Sequence, residues 1–132
     1  MPTGLAHPDE AATTYEQTMR QFFGPGVPEF DLMLLGLGAD GHTASLFPHS
    51  PALRESTRLV VPAAAPADPR MRLTLTLPTI TAARRIFVMA AGPEKLAALD
   101  RVLAPDADRE RYPAAALLAA GRRLTWWVAR MG

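Results

Sequence analysis

The sequence predicts a layered α/β fold built on a mainly parallel sheet. Three observations carry this expectation. Two runs, FDLMLLG from Phe30 and IFVMAAG from Ile86, are apolar throughout and bounded by turn residues, as strands covered on both faces are. The second run passes through a glycine straight into a helical pattern. Strand and helix patterns then alternate along the chain, without internal repeats or low-complexity tracts.

Taken in order, Pro8-Asp9-Glu10 opens a helix on which Ala11, Ala12, Tyr15, Met19, Phe22 and Phe23 recur at helical spacing, and Gly24 ends it. GPGVPE is a linker, and the strand from Phe30 is expected to be central. Thr57–Val61 is a short strand candidate, and the AAAPADP after it is expected to be irregular. LTLTL, Leu73 to Leu77, alternates with period two and reads as a strand with one face more exposed than the other. Pro78 to Arg85 reads as a short helix with proline in its first turn. The helix from Pro93 is expected to set Leu96, Leu99, Val102 and Leu103 on one face. PAAALLAAG reads as a short helix and LTWWVAR as a last strand, with one of Trp126 and Trp127 facing the core and the other a helix layer.

Composition narrows the function classes. The 132 residues suit one domain, and 48% apolar with 20% charged residues is a globular balance. A net charge of +1 without like-charge runs offers no footprint for nucleic acid or anionic lipid. No segment has the signal-peptide or membrane-span pattern, so a cytoplasmic protein is expected. Zero cysteines remove disulfides, thiolate metal sites and thiol nucleophiles. Of the fourteen basic residues only Lys95 is lysine, so its place is the more telling.

The informative segment is GLGADGHTASLFP, Gly36 to Pro48, which follows the first apolar strand where open parallel sheets bind ligands. Gly36, Gly38 and Gly41 match the dinucleotide fingerprint letter by letter. Pro48 and Pro51, however, cut short the helix that motif needs, and no acidic residue ends the next strand, so no nicotinamide or flavin is expected. Glycines here let backbone N–H groups approach a ligand. Asp40 and His42 stand beside them. His42 reads either as a general acid or base, or as a hydrogen-bonded loop residue with Asp40 as an Asx-turn cap. A metal set of Asp40, His42 and His49 has no recognised ligand spacing, and His7 and His49 beside prolines are expected to be solvent-exposed. The other candidate is GPEK: Lys95 in the first turn of a helix opposes the dipole preference for acids and suits a phosphate ligand, unless Glu94 compensates and Lys95 reaches into solvent. Arg72, at the head of the alternating strand, is a third candidate.

The segments FDLMLLGLGADGHTASLFP, PRMRLTLTLPTITAARRIFVMAAGPEKLAALDRVL and YPAAALLAAGRRLTWWVAR resemble the C-terminal part of the 6-phosphogluconolactonase family, which is related to glucosamine-6-phosphate deaminases. The resemblance runs from about Ala11 to Arg130. DGHTASLFP is specific for the lactonase branch. It implies a three-layer α/β sandwich with a Rossmann-like sheet, and hydrolysis of a small-molecule sugar-phosphate lactone, 6-phosphogluconolactone, without metal or organic cofactor. It further implies that His42 is the catalytic base, Lys95 the phosphate ligand, and Arg72 and Thr74 the residues of the family's R-x-T strand, with Asp40 and the amides near Gly38 and Gly41 shaping the site. Two departures stand out. Family members carry a further N-terminal portion that nothing before Asp9 supplies, Met1 to His7 included, and Ala129 stands where the last strand often ends in aspartate. The chain therefore reads as a single partial lactonase domain: a C-terminal fragment, a split subunit or a product with a misplaced start, expected to need an N-terminal half or to self-associate. A non-catalytic sugar-phosphate-binding chain and an amino-sugar-phosphate isomerase or deaminase are the alternatives.

Overall fold

A computed structural model describes residues 7–130. What the sequence suggests for residues 1–6 lies outside that range. Helix α1 spans Pro8–Phe23, with proline in its first turn, Asp9 and Glu10 favouring the positive end of the dipole, and Gly24 closing it by an N–H bond to the Arg20 carbonyl. Strands β1 (Met33–Gly36), β4 (Ile86–Ala91) and β5 (Leu124–Ala129) form a parallel sheet in the order β1-β4-β5, with Met33 opposite Ile86 and Ile86 opposite Leu124. Strands β2 (Val60–Ala64) and β3 (Met71–Leu75) form a separate antiparallel ribbon with Val61 opposite Thr74. Helices α2 (Leu77–Thr81) and α3 (Pro93–Val102) and the 3₁₀ helix Pro113–Arg123 complete the described elements, together with a 3₁₀ turn at Pro51–Arg54.

The mixed α/β fold with a mainly parallel sheet is as expected, but several elements are placed differently. β1 is an edge strand of the described sheet and β4 is the middle one. An apolar run is equally legible in either position, because strand order depends on pairing between distant segments. β2 runs on through Pro62 into Ala63 and Ala64, where irregular chain was expected. Among the described residues it pairs only with β3, so the proline lies in an edge strand where a missing N–H is tolerated.

On β3 the fully buried side chain is Thr74, and Thr76 just beyond it is buried as well, while Leu73 and Leu75 are half-buried. Both threonines satisfy their hydroxyls internally, Thr76 on the Arg58 carbonyl at 2.7 Å and Thr74 on the Leu75 carbonyl at 2.9 Å. On α3 the buried residues are Ala98, Leu99 and Val102, whereas Leu103 is exposed.

The main core joins Met33, Ile86, Val88 and Ala90 of the sheet to Leu99 and Val102 of α3, Ile80 of α2 and Leu117 of the 3₁₀ helix. A second core seats Ala12 and Met19 of α1 on Leu59 and Val60. All the helices of the main core lie on one face of the sheet. The alternate residues Leu34, Met89 and Trp127 stand on the other face and are about half exposed. Trp126 packs on the core, whereas Trp127 is about half exposed and meets Phe87 edge to face at 5.5 Å, so the helix layer expected over it is absent among the described residues.

Candidate active site

The loop from Gly36 to Ser50 leaves the C-terminal end of β1 and is held at many points. The Thr43 hydroxyl donates to the Gly36 carbonyl at 2.9 Å, and the Gly38 and Gly41 amides donate to the carbonyls of His42 (2.8 Å) and Gly38 (2.9 Å). Leu46 inserts fully into the main core. Two distant segments clamp the loop: the Ser45 amide donates to the Thr74 hydroxyl at 3.2 Å, and the Gly41 carbonyl accepts from the Ala114 amide at 2.9 Å. Thr74, assigned by resemblance to the R-x-T strand, thus ties the loop to β3.

Both glycines act differently from the sequence reading. Their amides are engaged within the loop and are not open donors for a ligand. A Cβ on Gly38 would collide with the His42 imidazole and approach Asp40 Oδ1 to 2.8 Å, so Gly38 is the space in which the ring sits. Gly41 has φ +87°, and its Cβ would meet the Tyr112 backbone at 3.1 Å, so it permits both the turn and the close approach of the 3₁₀ segment.

Asp40 is both the Asx-turn cap that the sequence suggests and a partner of the His42 ring. Its Oδ1 accepts from the His42 amide at 3.0 Å, an Asx turn, and meets the His42 Nδ1 at 2.5 Å. Partial burial pushes the Asp40 carboxyl up, but the hydrogen bonds from the His42 ring and amide outweigh it and leave it below its ordinary value of 3.8. An ionised carboxylate only accepts hydrogen bonds, so in the neutral ring Nδ1 carries the proton and Nε2 has the lone pair on the far side from Asp40.

His42 and Lys95 are brought together. A cavity of about 330 Å³ at the C-terminal end of β1 is lined by Leu34 to Gly38, His42, Ala44 and Lys95. Lys95 sits in the first turn of α3, after the Gly92 N-cap, and makes no ion pair among the described residues. Arg72 is not part of this cavity. Its Nε donates to the Pro69 carbonyl at 3.0 Å and its guanidinium lies over the Phe47 ring. Phe47 and Asp40 border a second, more apolar cavity of about 510 Å³ walled by prolines and alanines of β2 and the 3₁₀ turn. Phe47 is not singled out by the sequence, where it carries no charged or polar group to mark it.

His7 and His49 are exposed as expected. Among the described residues no three His, Asp or Glu side chains gather as a metal site, and no helix is long and apolar enough to cross a membrane.

The chain is similar to known proteins over nearly its whole length. Residues 1–126 match the family model described as glucosamine-6-phosphate isomerases/6-phosphogluconolactonase. The chain is 48% identical over 117 residues to a 6-phosphogluconolactonase of Synechocystis, a match covering 86% of this chain and 48% of that protein. It is 43% identical over 122 residues to the human 6-phosphogluconolactonase, covering 91% and 47%. The solved 6-phosphogluconolactonase of Trypanosoma brucei superposes with a TM-score of 0.83 at 32% identity, covering 98% of this chain and 55% of that one. The chain spans about half the length of the curated relatives it matches. With a family model matched over nearly all its residues and the same fold in that solved structure, the chain belongs to the glucosamine-6-phosphate isomerase/6-phosphogluconolactonase family.

Proposed function

We propose that this chain carries the base and the phosphate anchor for hydrolysis of 6-phosphogluconolactone to 6-phosphogluconate. The observation that carries the reading is that His42, with Asp40 on its Nδ1, and Lys95, distant in sequence, line one cavity. In this reading Nε2 of His42 takes a proton from water as the water oxygen attacks the lactone carbonyl. The resulting imidazolium, stabilised by Asp40, then protonates the departing ring oxygen, which opens the ring and leaves the acid. Lys95 holds the phosphate, which does not react but fixes the carbonyl near His42. A lactone is already a reactive ester, so a base and an anchor suffice and the reaction requires no metal or organic cofactor. The DGHTASLFP loop favours the lactonase over the amino-sugar branch, and ammonia release from an amino-sugar phosphate would reverse that preference.

The test is lactone hydrolysis by the purified chain together with a polypeptide corresponding to the remaining half of the relatives' length, measured against the spontaneous background. His42→Ala is expected to lower kcat about 10²- to 10⁴-fold with little change in KM. Lys95→Ala should mainly raise KM for the phosphorylated substrate, and Lys95→Arg should not fully restore it. Full activity in His42→Ala would remove it from the mechanism, and unchanged discrimination between phosphorylated and unphosphorylated lactones in Lys95→Ala would leave that lysine a solvent-facing residue.

A second reading is that the chain functions only with a complementary polypeptide. The open sheet face of Leu34, Met89 and Trp127 favours it, as does the half-length match to the relatives.

A further inference from the structure

Phe47 is 5% exposed, yet among the described residues it is the one large buried apolar side chain outside both cores. Its neighbours belong to the site instead. The ring centroid lies 4.6 Å from that of the His42 imidazole, with the planes inclined by 45°. The Arg72 guanidinium carbon stands 5.4 Å from the Phe47 centroid, and Arg72 is itself tied down through Nε to the Pro69 carbonyl. Phe47 is held from its own backbone too: Leu46 before it is locked in the core, and its carbonyl accepts from the Ser50 amide at 3.1 Å.

A hydrogen bond at Nδ1 fixes one point of an imidazole but leaves the plane free to rock, because the torsion that turns the ring is broad. Gly38 limits that motion from the backbone side, where its missing Cβ leaves room for the ring and nothing more. We propose that Phe47 is a positioning residue for His42. Its ring, backed by Arg72, holds the imidazole plane so that the Asp40 bond and the presentation of Nε2 to the Lys95 cavity occur together. This deepens the hydrolase reading, since it rests on His42 as the base. In this role Arg72 acts through Phe47 and does not share the Lys95 cavity.

The experiment combines NMR on the chain as it is with kinetics on the chain supplied with a polypeptide corresponding to the remaining half of the relatives' length. The protein has three histidines, so the imidazole C–H signals are few, and His42→Gln assigns the one that matters. Phe47→Leu is expected to abolish the ring-current displacement of the His42 signals and to lower kcat about tenfold while KM stays within about twofold, as loss of orientation should. Phe47→Tyr keeps the ring and should restore both. Arg72→Gln should displace the His42 signals in the same direction by a smaller amount.

Unchanged His42 signals in Phe47→Leu, a rise in KM at constant kcat, or failure of Phe47→Tyr to restore would each overturn the proposal. Should Phe47→Leu fail to fold, Arg72→Gln decides, and unmoved His42 signals there overturn it. Absence of hydrolysis by the unsubstituted chain even in the presence of a polypeptide corresponding to the remaining half of the relatives' length would defeat the hydrolase reading while leaving the positioning role to stand or fall on the NMR signals alone.

Discussion

On β4, Ile86, Val88 and Ala90 are sealed beneath α2, α3 and the 3₁₀ helix, while Met89 between them is 52% exposed, beside Trp127 at 54%. The two faces of the β1-β4-β5 sheet are similarly apolar, yet only one is covered among the described residues. Side-chain chemistry does not explain the difference, for the open face is if anything the more aromatic. What differs is whether other elements return to cover it. The His42 loop and Lys95 both hang from the covered side, through Leu46 in the main core and through α3, so the site is ordered by the covered face of the sheet. The open face leaves Leu34, Met89 and Trp127 about half exposed among the described residues, an unmet demand for apolar contact.

The strongest test of this contrast is completion. The chain by itself should hydrolyse little or no lactone and should self-associate. A polypeptide corresponding to the remaining half of the relatives' length should restore activity by orders of magnitude and reduce the particle to one defined mass by light scattering. A monodisperse monomer that is already as active as the completed pair would break the comparison.

Stability should divide the two faces next. Ile86→Ala, fully buried, is expected to lower unfolding free energy by about 2–5 kcal/mol, and Met89→Ala by no more than about 0.5 kcal/mol. Urea titration of the two variants reads the difference, and equal losses would mean that Met89 is covered in solution. Trp127→Thr, which keeps a strand-forming residue, should weaken self-association without lowering stability.

Thr74→Val sharpens the account of the covered side. It would leave the Ser45 amide without its acceptor and is expected to cost about 1–3 kcal/mol, with faster hydrogen exchange confined to residues near Ser45. Uniform exchange across the chain would show that the clamp is not local.

The smallest effect belongs to Asp40. Its folded carboxyl is more acidic than an unfolded one, so the ionised form adds stability that is fully present above the ordinary value of 3.8 and disappears as pH falls through the lower folded value. With the side chain 41% exposed, solvent screening keeps that contribution small. Asp40→Asn should flatten this acid limb of the pH–stability curve, and an unaltered limb would show that His42 does not hold the carboxyl in solution.

Local sequence determined a good deal by itself. Proline at its start and glycine at its end bound α1, because both act within one or two residues of where they stand. The glycine-rich loop after an apolar strand and the solitary lysine at a helix start were legible for the same reason: each is a short-range pattern with a local physical cause. The chemistry of Asp40 beside His42 was visible from two residues' spacing, although not that one carboxylate would serve as both Asx cap and ring partner. Tertiary structure alone decided the rest. It set β1 at the edge of the described sheet, buried threonine in place of leucine on β3, turned Arg72 onto Phe47, and closed one cavity around His42 and Lys95. Periodicity records which side chains share a face, but whether a face is covered, and by what, depends on segments that meet only when the chain has folded.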